Sequence, residues 1–187
     1  MKIIAGKYKN RIIPTFRKSG YRPSTAKFRE ALFSILSSGE FADTRPVIGA
    51  NILDLFTGTG VFSFEALSRG ADSVLLIDSK EEHLKIARDF AKKIGAENRV
   101  AVLSTDATNL PKPVGKYDLV FIDPPYYNNY VTASLDSLIK RQWLENAAII
   151  AIKMEIRQKL KLQDNLRLVK NKLYGNNKLL ILKYEQC

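Results

Sequence analysis

The sequence has few of the residues that form metal centres and disulfides. Among 187 residues there is one cysteine, Cys187, and one histidine, His83. A single cysteine excludes any disulfide within the chain, and these counts leave no ligand set for a Cys- or His-based metal site. We therefore expect no bound metal and a reducing, cytoplasmic compartment.

Long apolar runs are also absent. No stretch approaches the roughly 20 apolar residues that a membrane-spanning helix needs. The opening "MKIIAGKYKN" has neither a long apolar core nor a cleavage pattern, so we expect mature cytosolic sequence without a membrane partner. Hydrophobic residues still make up 45% of the chain, enough to fill the core of one domain with a small extension.

The chain carries a formal charge of +11, and the positive excess lies towards its ends. Residues 1–50 contain 10 Lys and Arg against 3 Asp and Glu, residues 51–130 contain 9 against 11, and residues 131–187 contain 11 against 5. This asymmetry indicates a polyanion bound by the basic flanks and a different task for the middle. Simple solubility is the alternative explanation for the charge alone.

The N-terminal part predicts a small hairpin followed by a helix. Two short apolar runs within residues 3–13 are separated by Gly6 and a Lys-Asn pair, as in a hairpin. In residues 24–39, apolar side chains recur at helical spacing; Ser24 or Thr25 can cap the start, and Gly39 can end the helix.

From residue 51 onward, apolar strand patterns alternate with helical ones, which predicts an α/β fold. We expect a mostly parallel, seven-stranded, Rossmann-like sheet with helices on both faces, whose last two strands form an antiparallel hairpin around "GNN". Helices are predicted from about Val61 to Arg69, over residues 79–95 with a capping box from Ser79 to Glu82, and over residues 131–144. In such sheets, ligands bind at the carboxyl ends of the strands.

The first predicted strand ends in the glycine loop "DLFTGTG". Gly58 and Gly60 allow a tight turn and close approach of a ligand to a helix N-terminus. A dinucleotide fingerprint needs a third glycine where Ser63 stands, so an NAD-dependent oxidoreductase is disfavoured. Asp54 and the acidic surroundings suit a ligand with a positive amino group better than a phosphate.

Acids also end the next two predicted strands. Asp78 can accept hydrogen bonds from both ribose hydroxyls of a nucleoside, or it can simply favour the start of the helix that follows. Asp106, with the backbone N–H of Ala107, can read the edge of an adenine, or it can be a solvated loop acid. Together with the glycine loop, these residues indicate a bound nucleoside cofactor.

The fourth strand ends in "DPPY". The side chain of Asp123 and the carbonyl of Pro124 can accept hydrogen bonds from a planar exocyclic amine and aim its lone pair at an electrophilic carbon. Prolines stiffen this loop, and Tyr126 offers a ring on which a base that has left its stack can lie. A proline turn with an incidental aromatic is the structural alternative.

These motifs together resemble a class I S-adenosylmethionine-dependent methyltransferase. The segments "IIAGKYKNRIIP", "RPSTAKFREALFSIL", "FTGTGVFSFEALSRGAD" and "YGNNKLLILKY" resemble the bacterial 16S ribosomal RNA guanine-N2 methyltransferase family, RsmD. The resemblance covers nearly the whole chain. The chain departs from it at "AAIIAIK", which is apolar up to Lys153, where family members often have an acid just beyond the strand.

The resemblance implies that the protein acts on the small ribosomal subunit. We expect an RNA-binding extension over residues 1–45, a methyltransferase domain over residues 46–187, and a monomer. Asp123, Pro124 and Tyr126 would form the amine site. The implied S-adenosylmethionine site consists of Asp54, Phe56, Gly58, Gly60, Asp78, Ser79, Asp106, Ala107 and Asp123. The many Lys and Arg side chains of the first 30 residues predict RNA contacts at Lys7, Arg11, Lys27 and Arg29, while Arg22 and Thr25 lie in the family's N-terminal motif and Tyr126 is the predicted stacking ring.

Other acceptors and one other class of protein remain open at this point. Related "D/N-P-P-Y" loops serve all planar amines, so adenine N6 in DNA or RNA and a glutamine amide are alternatives to guanine N2. A non-catalytic RNA-binding assembly factor on the same fold is a further alternative, which the intact glycine loop and "DPPY" disfavour.

Overall fold

A computed structural model of the protein describes residues 1–15, 25–125 and 129–186. One seven-stranded sheet lies at its centre, and its strands are β1 (Asn51–Leu55), β2 (Ser73–Asp78), β3 (Val100–Ser104), β4 (Tyr117–Ile122), β5 (Leu144–Glu155), β6 (Leu166–Tyr174) and β7 (Asn177–Tyr184). They lie in the order β3-β2-β1-β4-β5-β7-β6. The first five are parallel, and β7 pairs antiparallel with both β5 and β6. The predicted mostly parallel seven-stranded sheet is confirmed.

Helices cover both faces of this sheet, and the described residues include α1 (Ala26–Leu36), α2 (Val61–Ser68), α3 (Glu81–Lys93) and α4 (Tyr130–Lys140). Alternate residues of each central strand point to opposite faces. Ile52 and Phe121 therefore pack with α1, α2 and α3, whereas Leu53 and Val120 pack with α4. The two apolar cores hold the strand ends in a fixed relation to each other.

Two local predictions differ from the structure. The helix after β2 has no capping box: Ser79 precedes its cap residue, Lys80, which makes no side-chain cap bond. Asp78 stabilises this start instead, because its Oδ1 accepts a hydrogen bond from the Lys80 N–H at 2.9 Å. Helix α4 ends at Lys140 rather than near residue 144, since Gln142 adopts a left-handed φ of 61° and turns the chain into β5.

The N-terminal residues pack against α2. A bridge pairs Lys2 with Ile12, and Ile3 and Ile13 are buried. The carboxylate of Glu65 accepts hydrogen bonds from the backbone N–H groups of Ile4 and Ala5 at 2.8 and 3.1 Å. A buried acid on α2 therefore attaches the N-terminal segment to the domain that carries the sheet. That residues 1–45 act as an RNA-binding unit stays a prediction.

Among the described residues, none of the helices combines the length and apolar character needed to cross a bilayer. Over the same residues, His, Cys, Asp and Glu side chains form no group of three or more that could hold a metal ion.

Candidate active site

Four acidic residues lie at the carboxyl ends of four adjacent strands. Because the sheet order is β3-β2-β1-β4, Asp106, Asp78, Asp54 and Asp123 follow one another along a single edge. This edge is where an α/β sheet binds its ligands. The structure thus brings together the strand ends that the sequence singled out.

Asp54 is the most deeply buried of these acids, at 1% exposure. Its Oδ2 accepts hydrogen bonds from the hydroxyls of Thr57 at 2.8 Å and Ser63 at 2.7 Å. Burial raises the pKa of Asp54 to about 7, the two hydroxyl donors oppose that rise, and the nearby charge of Asp123 adds to it. Within the described part of the chain, Oδ1 of Asp54 has no hydrogen-bond partner. A buried carboxylate oxygen without a donor suits a positively charged ligand.

The loop after β1 has an unusual backbone. Phe56, Gly58 and Gly60 all adopt left-handed φ angles, of 58°, 55° and 81°. Such a φ is rare for a bulky side chain and marks local strain, which is often found at binding sites. A Cβ added at Gly60 would lie 2.9 Å from the Phe64 ring, so the protein's own packing requires this glycine. Close approach of a ligand to Gly60 stays a prediction.

Asp78 connects this loop to β2. Its Oδ2 accepts a hydrogen bond from the Gly58 N–H at 2.8 Å, and Nδ1 of His83 lies 3.5 Å from the same oxygen. Each carboxylate oxygen has two acceptor positions, so these contacts leave capacity for a ribose hydroxyl. Ser79, next in the chain, is exposed beside it.

Asp106 lies in the turn after β3. Its Oδ1 accepts hydrogen bonds from the backbone N–H and the hydroxyl of Thr108, both at 2.8 Å. Its neighbour Ala107 is buried. The turn therefore holds Asp106 in place at the exposed end of the row of acids, where the adenine contact was predicted.

Asp123 directly follows β4, next to a buried Pro124. Both of its carboxylate oxygens accept hydrogen bonds from the ammonium group of Lys153, at 2.9 and 3.1 Å. Lys153 lies on the adjacent strand β5 and is 8% exposed. Tyr126 lies outside the described residues.

The structure describes five of the seven predicted RNA contacts. Lys7, Arg11 and Lys27 are exposed near the N-terminus, as a phosphate contact requires. Thr25 caps α1 by accepting a hydrogen bond from the Phe28 N–H at 3.2 Å. Arg29 is 2% exposed, and its guanidinium donates a hydrogen bond to the Lys2 carbonyl at 3.0 Å. This burial removes Arg29 from the surface available to a phosphate, and Arg22 lies outside the described residues.

Sequence reasoning missed three residues of this site. Ser63 was interpreted only as a missing glycine, but it is a donor to Asp54. Thr57 is the second donor. Lys153 ends the apolar run "AAIIAIK", and a single charge at the end of a buried strand was the signal that marks it.

The fold defines the class of protein. Over its whole length, the chain superimposes with a TM-score of 0.85 on 99% of a solved protein described as "Putative methyltransferase yhhF" from Escherichia coli, at 26% identity. The architecture is therefore that of a Rossmann-like methyltransferase.

The family follows from the sequence comparisons. Residues 1–183 match the family described as "Conserved hypothetical protein 95", and the chain belongs to this family, the RsmD family. It is 40% identical to an "Uncharacterized methylase" of Rickettsia prowazekii, over 98% of both chains. It is 32% identical to the "Ribosomal RNA small subunit methyltransferase D" of Buchnera aphidicola subsp. Baizongia pistaciae, over 83% of this chain and 76% of that protein.

Proposed function

We propose that this protein transfers a methyl group from S-adenosylmethionine to the N2 amine of a guanine in 16S ribosomal RNA. The names of its relatives support a ribosomal RNA substrate, and the resemblance to the RsmD family supports guanine N2. The observation that carries the proposal is that Asp54 and Asp123 lie at the ends of the adjacent strands β1 and β4. This arrangement supports a site for a cationic cofactor beside a site for a planar amine.

The row of acids suits the cofactor. When bound, S-adenosylmethionine supplies an electrophilic methyl group on a positively charged sulfur. Oδ1 of Asp54 would accept a hydrogen bond from the ammonium group of its methionine moiety. Asp78 would accept hydrogen bonds from the ribose, and Asp106 with Ala107 would hold the adenine.

The loop after β4 suits the acceptor. Asp123 and the Pro124 carbonyl would accept the two hydrogens of the guanine amine, so that its lone pair points towards the methyl group. The nitrogen would form the new N–C bond as the methyl–sulfur bond of the donor breaks and the sulfur leaves as a neutral thioether, and one proton would leave the nitrogen. Tyr126 would stack against the guanine, which must leave its own stack to reach the loop.

The basic flanks suit the RNA. Lys7 and Arg11 are exposed on the N-terminal segment, and Lys27 is exposed on the first turn of α1. Phosphate contacts at these three residues would position the RNA without reading its sequence. One chain carries both this surface and the row of acids, so we expect a monomer to suffice.

The direct test is transfer of a labelled methyl group to small ribosomal subunits that lack the modification. Mass spectrometry of the digested RNA should identify N2-methylguanosine. The D123A variant should still bind the cofactor but transfer no methyl group, because the acceptor amine loses its main contact.

Each other result has a definite meaning. If the product is N6-methyladenosine, the acceptor is adenine N6 rather than guanine N2, and the protein is still a methyltransferase. Wild-type turnover by D123A would refute the role of Asp123. Binding of the subunits without any methylated nucleoside, together with no binding of S-adenosylmethionine, would favour a non-catalytic assembly factor.

A further inference from the structure

Lys153 occupies an unusual place for a lysine. Ile122, the last residue of β4, is in register with Ile152 of β5, so Asp123 leaves β4 beside Lys153, which is still within β5. The Lys153 ammonium donates to both Asp123 oxygens, at 2.9 and 3.1 Å. The ion pair therefore lies at the carboxyl end of β4, where the amine site is proposed.

The surroundings of this ion pair are apolar. The Lys153 ammonium lies 5.6 Å from the centre of the Phe28 ring on α1, within the range of a cation–π contact. Leu32, Phe62 and Leu179 line the same cavity, whose volume is about 10 Å³, close to the minimum that one water needs. The lysine is thus held on one side by α1 and on the other by the carboxylate.

A buried ion pair is a costly way to stabilise a fold. The Lys153 side chain is 8% exposed and the Asp123 side chain 21%, so the ammonium loses most of its hydration and the carboxylate loses part of it. Apolar residues of similar volume often give equal or greater stability. Stability alone therefore does not account for a lysine at this position. Its contact with Asp123, the carboxylate proposed to hold the acceptor amine, points to the reaction.

We propose that Lys153 is a positioning residue for methyl transfer, which fixes the Asp123 carboxylate and balances its charge so that the amine meets an electroneutral acceptor. This inference rests on the proposed function. Each carboxylate oxygen has two acceptor positions, so the lysine can occupy one and leave the other to the amine. The pair then presents to the amine what the side-chain oxygen of an asparagine would present.

A double-mutant cycle tests this role. K153M removes the ammonium but keeps an unbranched apolar chain. It should lower the single-turnover rate by about 100-fold, because a carboxylate that is no longer held in place misplaces the amine relative to the methyl group. The affinities for S-adenosylmethionine and for the small subunit should stay near those of the wild type. K178M is the matched control, because Lys178 lies on β7 opposite Met154, the residue after Lys153, and should leave the rate unchanged.

The second arm of the cycle changes the carboxylate. D123N should be slow, because an uncompensated ammonium then lies beside the amine site. D123N/K153M restores a neutral acceptor and should be roughly tenfold faster than D123N, within the range of coupling between residues in contact. K153M would then harm the wild type and help the D123N variant.

The outcomes separate this inference from the function itself. The positioning role is refuted if the K153M change slows methyl transfer by the same factor in the wild type and in D123N. It is also refuted if K153M lowers cofactor affinity and thermal stability in proportion to the rate. If K153M matches K178M, it is refuted too, while the proposed function stands. If the wild type methylates no guanine, the proposed function fails, and this inference fails with it.

Discussion

The carboxylate of Asp78 accepts a hydrogen bond from the backbone N–H of Gly58 at 2.8 Å, which connects the end of β2 to the glycine loop after β1. Its other oxygen accepts a hydrogen bond from the Lys80 N–H at 2.9 Å. Both partners are donors, so this position needs a side chain that only accepts. The acid predicted to hold the ribose therefore also shapes the loop predicted to hold the methionine moiety.

Replacing this acid with its amide should weaken cofactor binding. In D78N, the side-chain NH2 group must face one of the two backbone N–H groups, so one hydrogen bond is lost. Hydrogen bonds to charged groups contribute about 1.5–3 kcal/mol to stability, so the loop must spend part of the binding energy to recover its shape, and we expect up to roughly 10- to 100-fold weaker binding of S-adenosylmethionine. Calorimetric titration measures this. D89N, an exposed change on α3, is the control, and equal affinities of the two variants would contradict the prediction.

Cofactor binding should depend on pH through Asp54. The pKa of this buried acid is about 7, and the proposed function requires its ionised form to bind the cofactor's ammonium group. The affinity should therefore rise about tenfold per pH unit below pH 7 and level off above it. S63A removes a hydrogen bond that lowers this pKa, so it should move the transition to higher pH. An affinity that stays constant from pH 6 to pH 8 would exclude this role for Asp54.

The stability of the free protein should change in the opposite direction. The folded state raises the pKa of Asp54 from 3.8 to about 7, so between these values it keeps a proton that the unfolded chain has released. The contribution of Asp54 to the free energy of unfolding therefore falls as the pH rises through this window and stays constant above it. Urea unfolding of the wild type and D54N over pH 4–8 measures this contribution as their difference. If D54N keeps the full slope of the wild type, another group causes it.

The sequence predicted the edge of the sheet that carries the site, because buried parallel strands have a strong apolar pattern and acids end four of them. It did not predict the contacts among these acids. The bond from Gly58 to Asp78 spans 20 residues, and the bonds from Lys153 to Asp123 span 30. Such partners depend on strand order and register, which a local pattern does not contain. The burial of Arg29 was missed for the same reason, since it depends on the N-terminal segment that folds over α1.

Gly6 should be essential for attachment of the N-terminal segment. It adopts a φ of 82°, and a Cβ at this position would overlap the carbonyl oxygen of Ser68 on α2. That carbonyl accepts a hydrogen bond from the Lys7 N–H at 2.7 Å, and the Ser68 hydroxyl accepts one from the Tyr8 N–H at 2.9 Å. Any side chain at Gly6 therefore separates the segment from the helix that holds it.

G6A should destabilise the protein and expose its first residues. The left-handed backbone alone costs an alanine about 1–3 kcal/mol, and the overlap adds to that. Urea unfolding measures the loss, and limited proteolysis should cleave the N-terminal segment first. G115A is the matched control, because a Cβ at Gly115 meets nothing within 4 Å. If both variants resist the protease as the wild type does, the attachment does not depend on Gly6.

The exposed N-terminal cations should contribute to RNA affinity in a salt-dependent way. Each of Lys7, Arg11 and Lys27 that contacts a phosphate releases counterions, so replacing all three with glutamine should reduce the slope of log K against log salt by about 2–3. Binding to the small subunit, measured at several salt concentrations, gives this slope. K92Q/K93Q changes two exposed lysines at the end of α3 and should leave it unchanged. If both variants reduce the slope of log K against log salt by the same amount per charge removed, RNA affinity depends only on net charge. The N-terminal residues then form no specific surface for RNA.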